Sequence, residues 1–248
     1  MATVKDIYNF IDSFAPFSTQ AEWDNSGLLV GNENNTVNKI IFALDVTADV
    51  IEQAKTVGAN LIVTHHPVIF KPVSSVLNDS LIYKIIQNNM SIICAHTNYD
   101  KADDGVNDIL CKTINADVIE KIDDTFLNIV TYNNTYSTDD LAKHFKDKLN
   151  CVVRYNNLNK NISKIAVCSG SGSDYLSLAK EMGCDALLTG DASHHSFLDA
   201  DEMGIVLFAC GHFETEMIAI KPLLDKIENE FDVECALALQ TPYPQVRC

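Results

Sequence analysis

Positive charge is scarce in this chain. Arginine occurs only at Arg154 and Arg247, and 34 acidic residues outweigh 18 lysines and arginines, which gives a formal net charge of −16. A surface of this charge repels a phosphate backbone, because nucleic-acid affinity rests largely on cationic side chains. The composition therefore argues against general nucleic-acid binding.

Long apolar runs and closely paired cysteines are also missing. No stretch of the sequence reaches the roughly 18 apolar residues of a membrane helix. The opening MATVKDIYNFIDSFAPF has acids inside its apolar pattern, unlike a signal peptide. Eight cysteines are widely spaced without a CxxC pair, which is typical of small core residues in a reducing compartment. We expect a cytoplasmic protein with no membrane association.

Short apolar strands alternate with amphipathic helices along the whole chain. Strands are predicted at the apolar end of WDNSGLLVG (23–31) and at IIFALDV (40–46), LIVT (61–64), SIICAH (91–96), FLNIVTY (126–132), VVRY (152–155), KIAVCSG (164–170), ALLTGD (186–191) and IVLFACGH (205–212). Helices are predicted over about 4–14, 48–57, 80–89, 106–114, 138–149, 173–182 and 193–203, with a last one running through about residue 230. This alternation predicts a three-layer α/β fold with mixed, mostly parallel sheets.

The two halves of the chain repeat the same order of strand ends. IIFALD corresponds to KIAVCSG, LIVTHH to ALLTGDASHH, and SIICAHTNYD to IVLFACGHFETE. We infer an internal duplication, with a first α/β repeat over 1–124 and a second over 125–248. Because no proline- or glycine-rich linker separates them, we expect the halves to be interlocked.

Histidines concentrate at these corresponding strand ends. Six of the seven lie at or just after these strand ends, namely His65, His66, His96, His194, His195 and His212. The carboxyl ends of parallel strands gather at one edge of a sheet, and imidazoles there are ligands for divalent metals. A single histidine at a strand end is more often a polar cap, and we expect His144, on a charged helix face, to be structural.

An acid follows a histidine by four residues in HTNYD (96–100) and HFETE (212–216). Residues four apart share one face of a helical turn, so each pair is able to hold an ion. With His65 and His66, the set has four histidines and two carboxylates. One zinc-like ion needs fewer ligands, so two bridged ions fit better. His96 is alternatively a donor that orients a ligand.

Two further stretches are candidates for binding a substrate or anion. The turn CSGSGSD has backbone N–H groups that are suited to an anion, and its candidate residues are Ser169, Gly170, Ser171 and Gly172. A tight strand-to-helix turn capped by serine explains the same residues equally well. Asp24 and Asn25 in WDNSGLLVG either line a site or stabilise a glycine turn. His194 and His195 belong to a substrate pocket, a supporting shell of a metal site or a helix start.

The motifs WDNSGLLVG, VTHHP, AHTNYD, SGSGSD, TGDASHH and GHFETE, in this order, resemble the NGG-interacting-factor-three-like family. Its bacterial members are commonly named as homologues of the type-two form of GTP cyclohydrolase I. The resemblance covers nearly the whole chain and matches the compact version of the family, without an inserted domain. It implies two interlocked α/β halves, a dinuclear metal centre in the cleft between them and a ring-shaped homohexamer.

By this resemblance, the metal ligands are His65, His66, Asp100, His212 and Glu216, with His96 close by. The two ions per chain would be zinc, iron, manganese, cobalt or nickel. The resemblance further implies a metal-dependent hydrolase of a small molecule such as a nucleotide. In that reaction, hydroxide would attack C8 of the guanine of GTP, with formate release. The alternative is a metal-binding, metal-trafficking or scaffold protein without catalysis.

Overall fold

The computed structural model describes residues 1–242. The chain forms two compact units: the first contains Met1–Asp103 and the chain from Ala219 onward, and the second contains Asp104–Ile218. Both units are mixed α/β structures, as the alternating pattern predicts. Within the described residues, no helix has the length and apolar character to cross a membrane.

The elements follow one another in the order that the periodicity predicts, with four additions. The first part contains α1 (Val4–Phe14), a 3-10 turn (Phe17–Thr19), β1 (Gly27–Val30), β2 (Lys39–Ala43), α2 (Ala48–Val57), β3 (Leu61–Thr64), α3 (Leu81–Gln87), β4 (Ser91–Cys94) and α4 (Thr97–Lys101). The central part contains α5 (Val106–Thr113), β5 (Val118–Lys121), β6 (Asn128–Ser137), α6 (Thr138–Leu149), β7 (Arg154–Tyr155), β8 (Asn161–Cys168), a 3-10 turn (Ser173–Tyr175), α7 (Leu176–Glu181), β9 (Ala186–Thr189), α8 (His194–Met203), β10 (Val206–Ala209) and α9 (His212–Met217). The last part contains α10 (Ile220–Glu230) and β11 (Glu234–Leu237). The additions are the short helix α4, the strands β5 and β11, and a break between α9 and α10.

The break between α9 and α10 corrects the prediction of one continuous helix through residue 230. Pro222 lies in the first turn of α10. Proline has no N–H to donate to an earlier turn and its ring clashes with the preceding carbonyl, but it is tolerated in a first turn. The chain therefore ends α9 at Met217 and starts a new helix at Ile220.

The two sheets share a core of four strands with the same order and directions. The first sheet runs β1-β4-β3-β2-β11 and the second runs β5-β6-β8-β9-β10-β7. In each, three consecutive parallel strands are flanked by an earlier strand that pairs antiparallel with the last of them: β1 with β4, and β7 with β10. This common topology supports the predicted duplication.

The compact units differ from the two predicted repeats in where they begin and end. β5 pairs with β6, so the residues just before position 124 belong to the second sheet. β11 pairs with β2, so the end of the described chain belongs to the first sheet. The boundary between repeats at residues 124 and 125 stays a prediction about ancestry, while the packing follows these strand pairings.

Helices cover both faces of the second sheet. One face packs against α5 and α6 through residues such as Leu110 and Phe145, and the other packs against α7 and α8 through residues such as Leu176 and Ala200. In the first unit, α2 contributes Val50, Ile51 and Ala54 to a cluster with alternate residues of β2, β3 and β4. The second unit thus has the predicted three layers.

The cysteines are mostly core residues, as predicted. Three cysteines at or just after the ends of β4, β8 and β10 are buried, namely Cys94, Cys168 and Cys210. Cys235 is half-buried, and Cys248 lies outside the described residues. Burial raises the pKa of the Cys111 thiol to about 12 and that of Cys94 well above its ordinary value. Such thiols are protonated at neutral pH and therefore poor nucleophiles.

Candidate metal centre

Three histidines of the first unit converge where two parallel strands end. β3 pairs with β4 in a register that places Thr64 opposite Cys94, so the residues that follow the two strands are neighbours. One ligand atom from each of His65, His66 and His96 lies within 4.8 Å of the other two. The group could hold a metal ion, and it arises because parallel strands bring their carboxyl ends to one edge.

Each of these three rings is oriented through Nδ1 by an oxygen acceptor. The Nδ1 contacts are His65 with the carbonyl of Ala95 at 3.0 Å, His66 with Oδ1 of Asp45 at 2.8 Å and His96 with Oδ1 of Asp24 at 2.7 Å. A carbonyl or carboxylate oxygen only accepts, so Nδ1 carries the proton in each pair. Nε2 is then the nitrogen that each neutral ring offers to a metal, as in carboxylate–histidine–metal sites.

Asp100 lies beside this group but not in the predicted arrangement. His96 is the N-cap of α4, with a φ of −101° and a ψ of −109°, so it stands outside the helical turn. The two residues therefore do not share a helical face, which corrects the prediction for HTNYD. Oδ1 of Asp100 instead lies 3.5 Å from Nε2 of His65, and both side chains are largely buried. A carboxylate at this position adds an anionic oxygen to the three imidazoles.

Asp24 is the most deeply buried of the orienting acids, with a side chain that is 0% exposed. Its carboxylate accepts hydrogen bonds from His96, from the hydroxyl of Ser26, and from both the N–H and the hydroxyl of Thr97. Burial raises the pKa of Asp24, but the hydrogen bonds from His96 and Thr97 outweigh it and hold the pKa well below its usual range. Asp24 is therefore a fixed anion that determines the position of His96.

A histidine and a glutamate pair on one face of α9 in the second unit. Nε2 of His212 lies 3.1 Å from Oε2 of Glu216, which confirms the predicted spacing of four residues on a helix. Nδ1 of His212 contacts Oδ2 of Asp191 at 2.8 Å, so this ring is oriented in the same way as those of the first unit. Glu216 is buried, and its side chain is 5% exposed.

The SGSG turn packs against this pair rather than presenting its N–H groups for an anion. The N–H groups of Ser169, Gly170 and Gly172 donate to side-chain oxygens of Asn107, Thr215 and Thr189. An anion could bind to these three N–H groups only if their present hydrogen bonds broke. The prediction of an anion site therefore keeps support only at Ser171. The hydroxyl of Ser171 lies 3.5 Å from Nδ1 of His212.

Gly170 has no side chain, which lets the His212–Glu216 pair lie close to the turn. Its φ is +57°, and a Cβ built there would collide with Oε1 of Glu216. A residue with a side chain at this position would therefore be strained and would compete with the glutamate for space. The glycine thus leaves room for the Glu216 carboxylate next to the turn.

The remaining predicted site residues have other positions. Asn25 donates through Nδ2 to the carbonyl of Ile69 at 2.6 Å and so fixes the loop that follows THHP. His194 and His195 are exposed on the first turn of α8, and among the described residues neither joins a group of close ligand atoms. His144 contacts the carbonyl of Ile114 at 2.8 Å through Nε2, in agreement with its predicted structural role.

The sequence interpretation missed two of the acids that orient histidines, Asp45 and Asp191. Both were visible in the quoted strand-end motifs IIFALD and ALLTGD, where each acid comes shortly after a strand. This position after a parallel strand was a signal that both acids lie at the edge of a sheet where the histidines gather. It did not show which histidine each acid would reach.

We expect Asp45→Ala and Asp191→Ala each to weaken metal binding roughly 10- to 100-fold, because outer carboxylates fix the orientation and basicity of ligating imidazoles. Both side chains are about half exposed, at 49% and 45%, so the fold should change little. Dialysis against graded chelator followed by elemental analysis measures the effect. Asp49→Ala is the control, because its carboxylate accepts from Gln53 on α2 and belongs to neither group of candidate ligands. Equal metal retention in all three variants would contradict the role of Asp45 and Asp191.

The donor chemistry of both groups fits divalent transition metals. Neutral imidazole nitrogens together with carboxylate oxygens suit zinc, iron, manganese, cobalt and nickel. In the first unit, three imidazoles and the Asp100 carboxylate are close together, and in the second an imidazole and the Glu216 carboxylate are 3.1 Å apart. A group of histidine and acidic residues that could hold metal is therefore present.

The chain is similar to known proteins over nearly its whole length. The chain is 35% identical over 240 residues to a Clostridium acetobutylicum protein named GTP cyclohydrolase 1 type 2 homolog, covering 91% of this chain and 90% of that protein. It is 34% identical over 226 residues to a Helicobacter pylori protein named GTP cyclohydrolase 1 type 2, covering 87% and 88%. The crystal structure of Staphylococcus aureus protein SA1388 matches with a TM-score of 0.92 at 27% identity, covering 100% of this chain and 99% of that one.

The comparison with family models is equally extensive. The model of Duf34/NIF3 (NGG1p interacting factor 3) matches residues 2–244, which includes every histidine and acid of the two groups described above. Together with the relatives above 30% identity, this match identifies the chain as a member of the Duf34/NIF3 family.

Proposed function

We propose that this protein is a metal-dependent hydrolase that binds two divalent ions, in the dinuclear arrangement that the resemblance implies. The proposed ligands are His65, His66, Asp100, His212 and Glu216, with His96 beside the first three. The main support is that all four rings use Nδ1 for an oxygen acceptor and so present Nε2 as the metal-binding nitrogen. A histidine that served only as a polar cap would not need this common orientation.

Ions held by these ligands would provide Lewis-acid activation of water and substrate. The residues of the chain do the positioning: Asp24, Asp45 and Asp191 hold three of the imidazoles, and Asp100 and Glu216 add negative charge beside the rings. Fixed ligands of this kind reduce the reorganisation that the reaction would otherwise require.

We propose GTP as the substrate, because the relatives from Clostridium acetobutylicum and Helicobacter pylori carry GTP cyclohydrolase 1 type 2 names. The reaction would be hydrolytic opening of the imidazole ring of guanine at C8, with release of formate. The ring-shaped homohexamer remains a prediction of the resemblance, and the cytoplasmic location remains a prediction from the sequence pattern.

The test is the metal content per chain by elemental analysis, followed by an assay for formate released from GTP. We expect about two ions in the native protein. The His65→Ala, Glu216→Ala double variant should retain almost none, because it removes one ligand from each group. His144→Ala is the matched control: this histidine contacts the backbone carbonyl of Ile114 and belongs to neither group, so the variant should keep both ions.

The outcomes separate the candidate functions. Two ions with formate release that is lost in the double variant would support the cyclohydrolase. Two ions without turnover would favour another substrate or the metal-binding alternative. A folded native protein that cannot be loaded with metal would contradict the central proposal.

A further inference from the structure

Two aromatic side chains are exposed beside the histidines of the first unit. The exposed fractions of Trp23 and Phe70 are 58% and 47%, and their ring centroids lie 6.0 Å apart. The Trp23 ring also makes an edge contact with His96, at 6.2 Å between centroids. Large aromatic residues that are exposed together, next to polar groups able to hold metal, mark a binding surface more often than isolated exposed residues do.

The chain holds both aromatic residues in place through the two residues that follow Trp23. Asp24 is fixed by its bonds to His96, Ser26 and Thr97, and its own N–H donates to the carbonyl of Ala21 at 2.9 Å. Asn25 donates to the carbonyl of Ile69, the residue before Phe70. The WDN motif therefore fixes the tryptophan, the histidine and the phenylalanine loop relative to one another.

We propose that Trp23 and Phe70 form a stacking platform for the purine ring of the substrate, which places that ring next to His96. This inference rests on the proposed function, because it assigns residues that recognise the substrate of the same site. Tryptophan stacks on the flat face of any nucleobase, and its large rigid ring loses little entropy on binding. Recognition through the ring also suits a chain with a net charge of −16, which has few cations to hold a triphosphate.

The exposed residues that follow Phe70 suggest an alternative to the purine ring as the partner of this aromatic surface. Val73, Val76 and Leu77 are also exposed, so the loop offers apolar area to a second copy of the chain. The edge contact of Trp23 with His96 favours the purine ring, because it places the indole at the group of metal-binding residues rather than along the loop. A protein partner would not require this contact.

Trp23 is the only tryptophan in the chain, so its fluorescence reports directly on this position. The experiment titrates guanosine into the metal-loaded full-length protein and follows quenching of that fluorescence. A parallel titration of N-acetyltryptophanamide corrects for light absorbed by the guanine base. Ribose is the control ligand that lacks a base. We expect guanosine to quench Trp23 in a saturable manner and ribose to have no effect.

Variants then test the platform by calorimetry. Trp23→Leu and Phe70→Leu should each weaken guanosine binding roughly tenfold, within the range that stacking on one aromatic residue provides. Trp23→Tyr should recover most of the affinity, because it restores an aromatic face. Tyr83→Leu is the matched control, since Tyr83 is an exposed aromatic residue of the same unit on α3 and should leave binding unchanged.

Several results would overturn the platform. These are guanosine binding without quenching, no saturable guanosine binding, or equal affinity in native protein and Trp23→Leu. A change of oligomeric state in Trp23→Leu, measured by light scattering and accompanied by unchanged guanosine affinity, would assign the aromatic pair to an interface between copies. Elemental analysis of the same samples keeps the two proposals separate. Absence of metal contradicts the hydrolase. Normal metal content, together with guanosine binding that does not depend on Trp23 and Phe70, contradicts the platform alone.

Discussion

Asp24→Ala is expected to lower the free energy of unfolding by roughly 3 kcal/mol or more. The substitution leaves donors from three residues, His96, Ser26 and Thr97, without the carboxylate that accepts from them in a fully buried position. Each buried donor that loses its acceptor costs part of its desolvation energy. In a chain of this length, a loss of that size shifts the melting temperature by roughly 6–12 °C.

The same substitution should also reduce metal retention, because the His96 ring loses the acceptor that orients it. Thermal unfolding followed by circular dichroism gives the stability, and elemental analysis gives the metal content. Asp6→Ala is the comparison: its carboxylate also accepts from a neighbouring backbone N–H and hydroxyl, but it lies in the exposed capping box of α1. Similar melting temperatures for the two variants would show that the Asp24 network contributes little.

Gly190→Ala is expected to cost roughly 2–3 kcal/mol and to disrupt the His212–Glu216 pair. A Cβ at residue 190 would lie 2.6 Å from the carbonyl oxygen of Gly170, 2.7 Å from Oγ1 of Thr215 and 2.8 Å from the Cα of His212. Two of these atoms belong to the backbone, so no side-chain rotation relieves the overlap. The end of β9 would have to move away from the SGSG turn and from the start of α9.

Gly183→Ala is the control for this prediction. Gly183 has a φ of +71°, with no atom near the added Cβ, so alanine there costs roughly 1–2 kcal/mol of backbone strain without crowding the site. We expect this variant to lose stability but keep its metal, whereas Gly190→Ala loses both. Melting temperature and metal content measured on the same preparations distinguish the two effects. Full metal content in Gly190→Ala would refute the crowding argument.

The sequence predicted most helices and strands because their signals are local. Thr47 accepts from the N–H of Val50 at the predicted start of α2, and α1 occupies the residues that its periodicity indicated. The pairing of β11 with β2 was not predictable in this way. It joins residues about 195 positions apart, and a four-residue segment such as ECAL carries too little pattern to identify a strand.

The site shows the same division between local and distant information. The histidines at strand ends were predicted, because parallel strands bring those ends together whatever the loops do. Two of the three acids that orient them, Asp45 and Asp191, were not predicted, because which oxygen reaches which ring depends on side-chain directions. His96 shows this most clearly: its spacing to Asp100 suggested a shared helical face, but its backbone takes the N-cap conformation instead.

The interrupted first unit has a consequence for synthesis on the ribosome. Its sheet needs β11, which follows the entire second unit in the chain, so β2 has an unpaired edge until the last strand emerges. All residues of the second unit are translated earlier, and domains generally fold as units in the order of their synthesis. The nascent chain can thus complete its inserted unit while the surrounding one still has an open sheet edge, a period during which that edge is available for unwanted strand pairing.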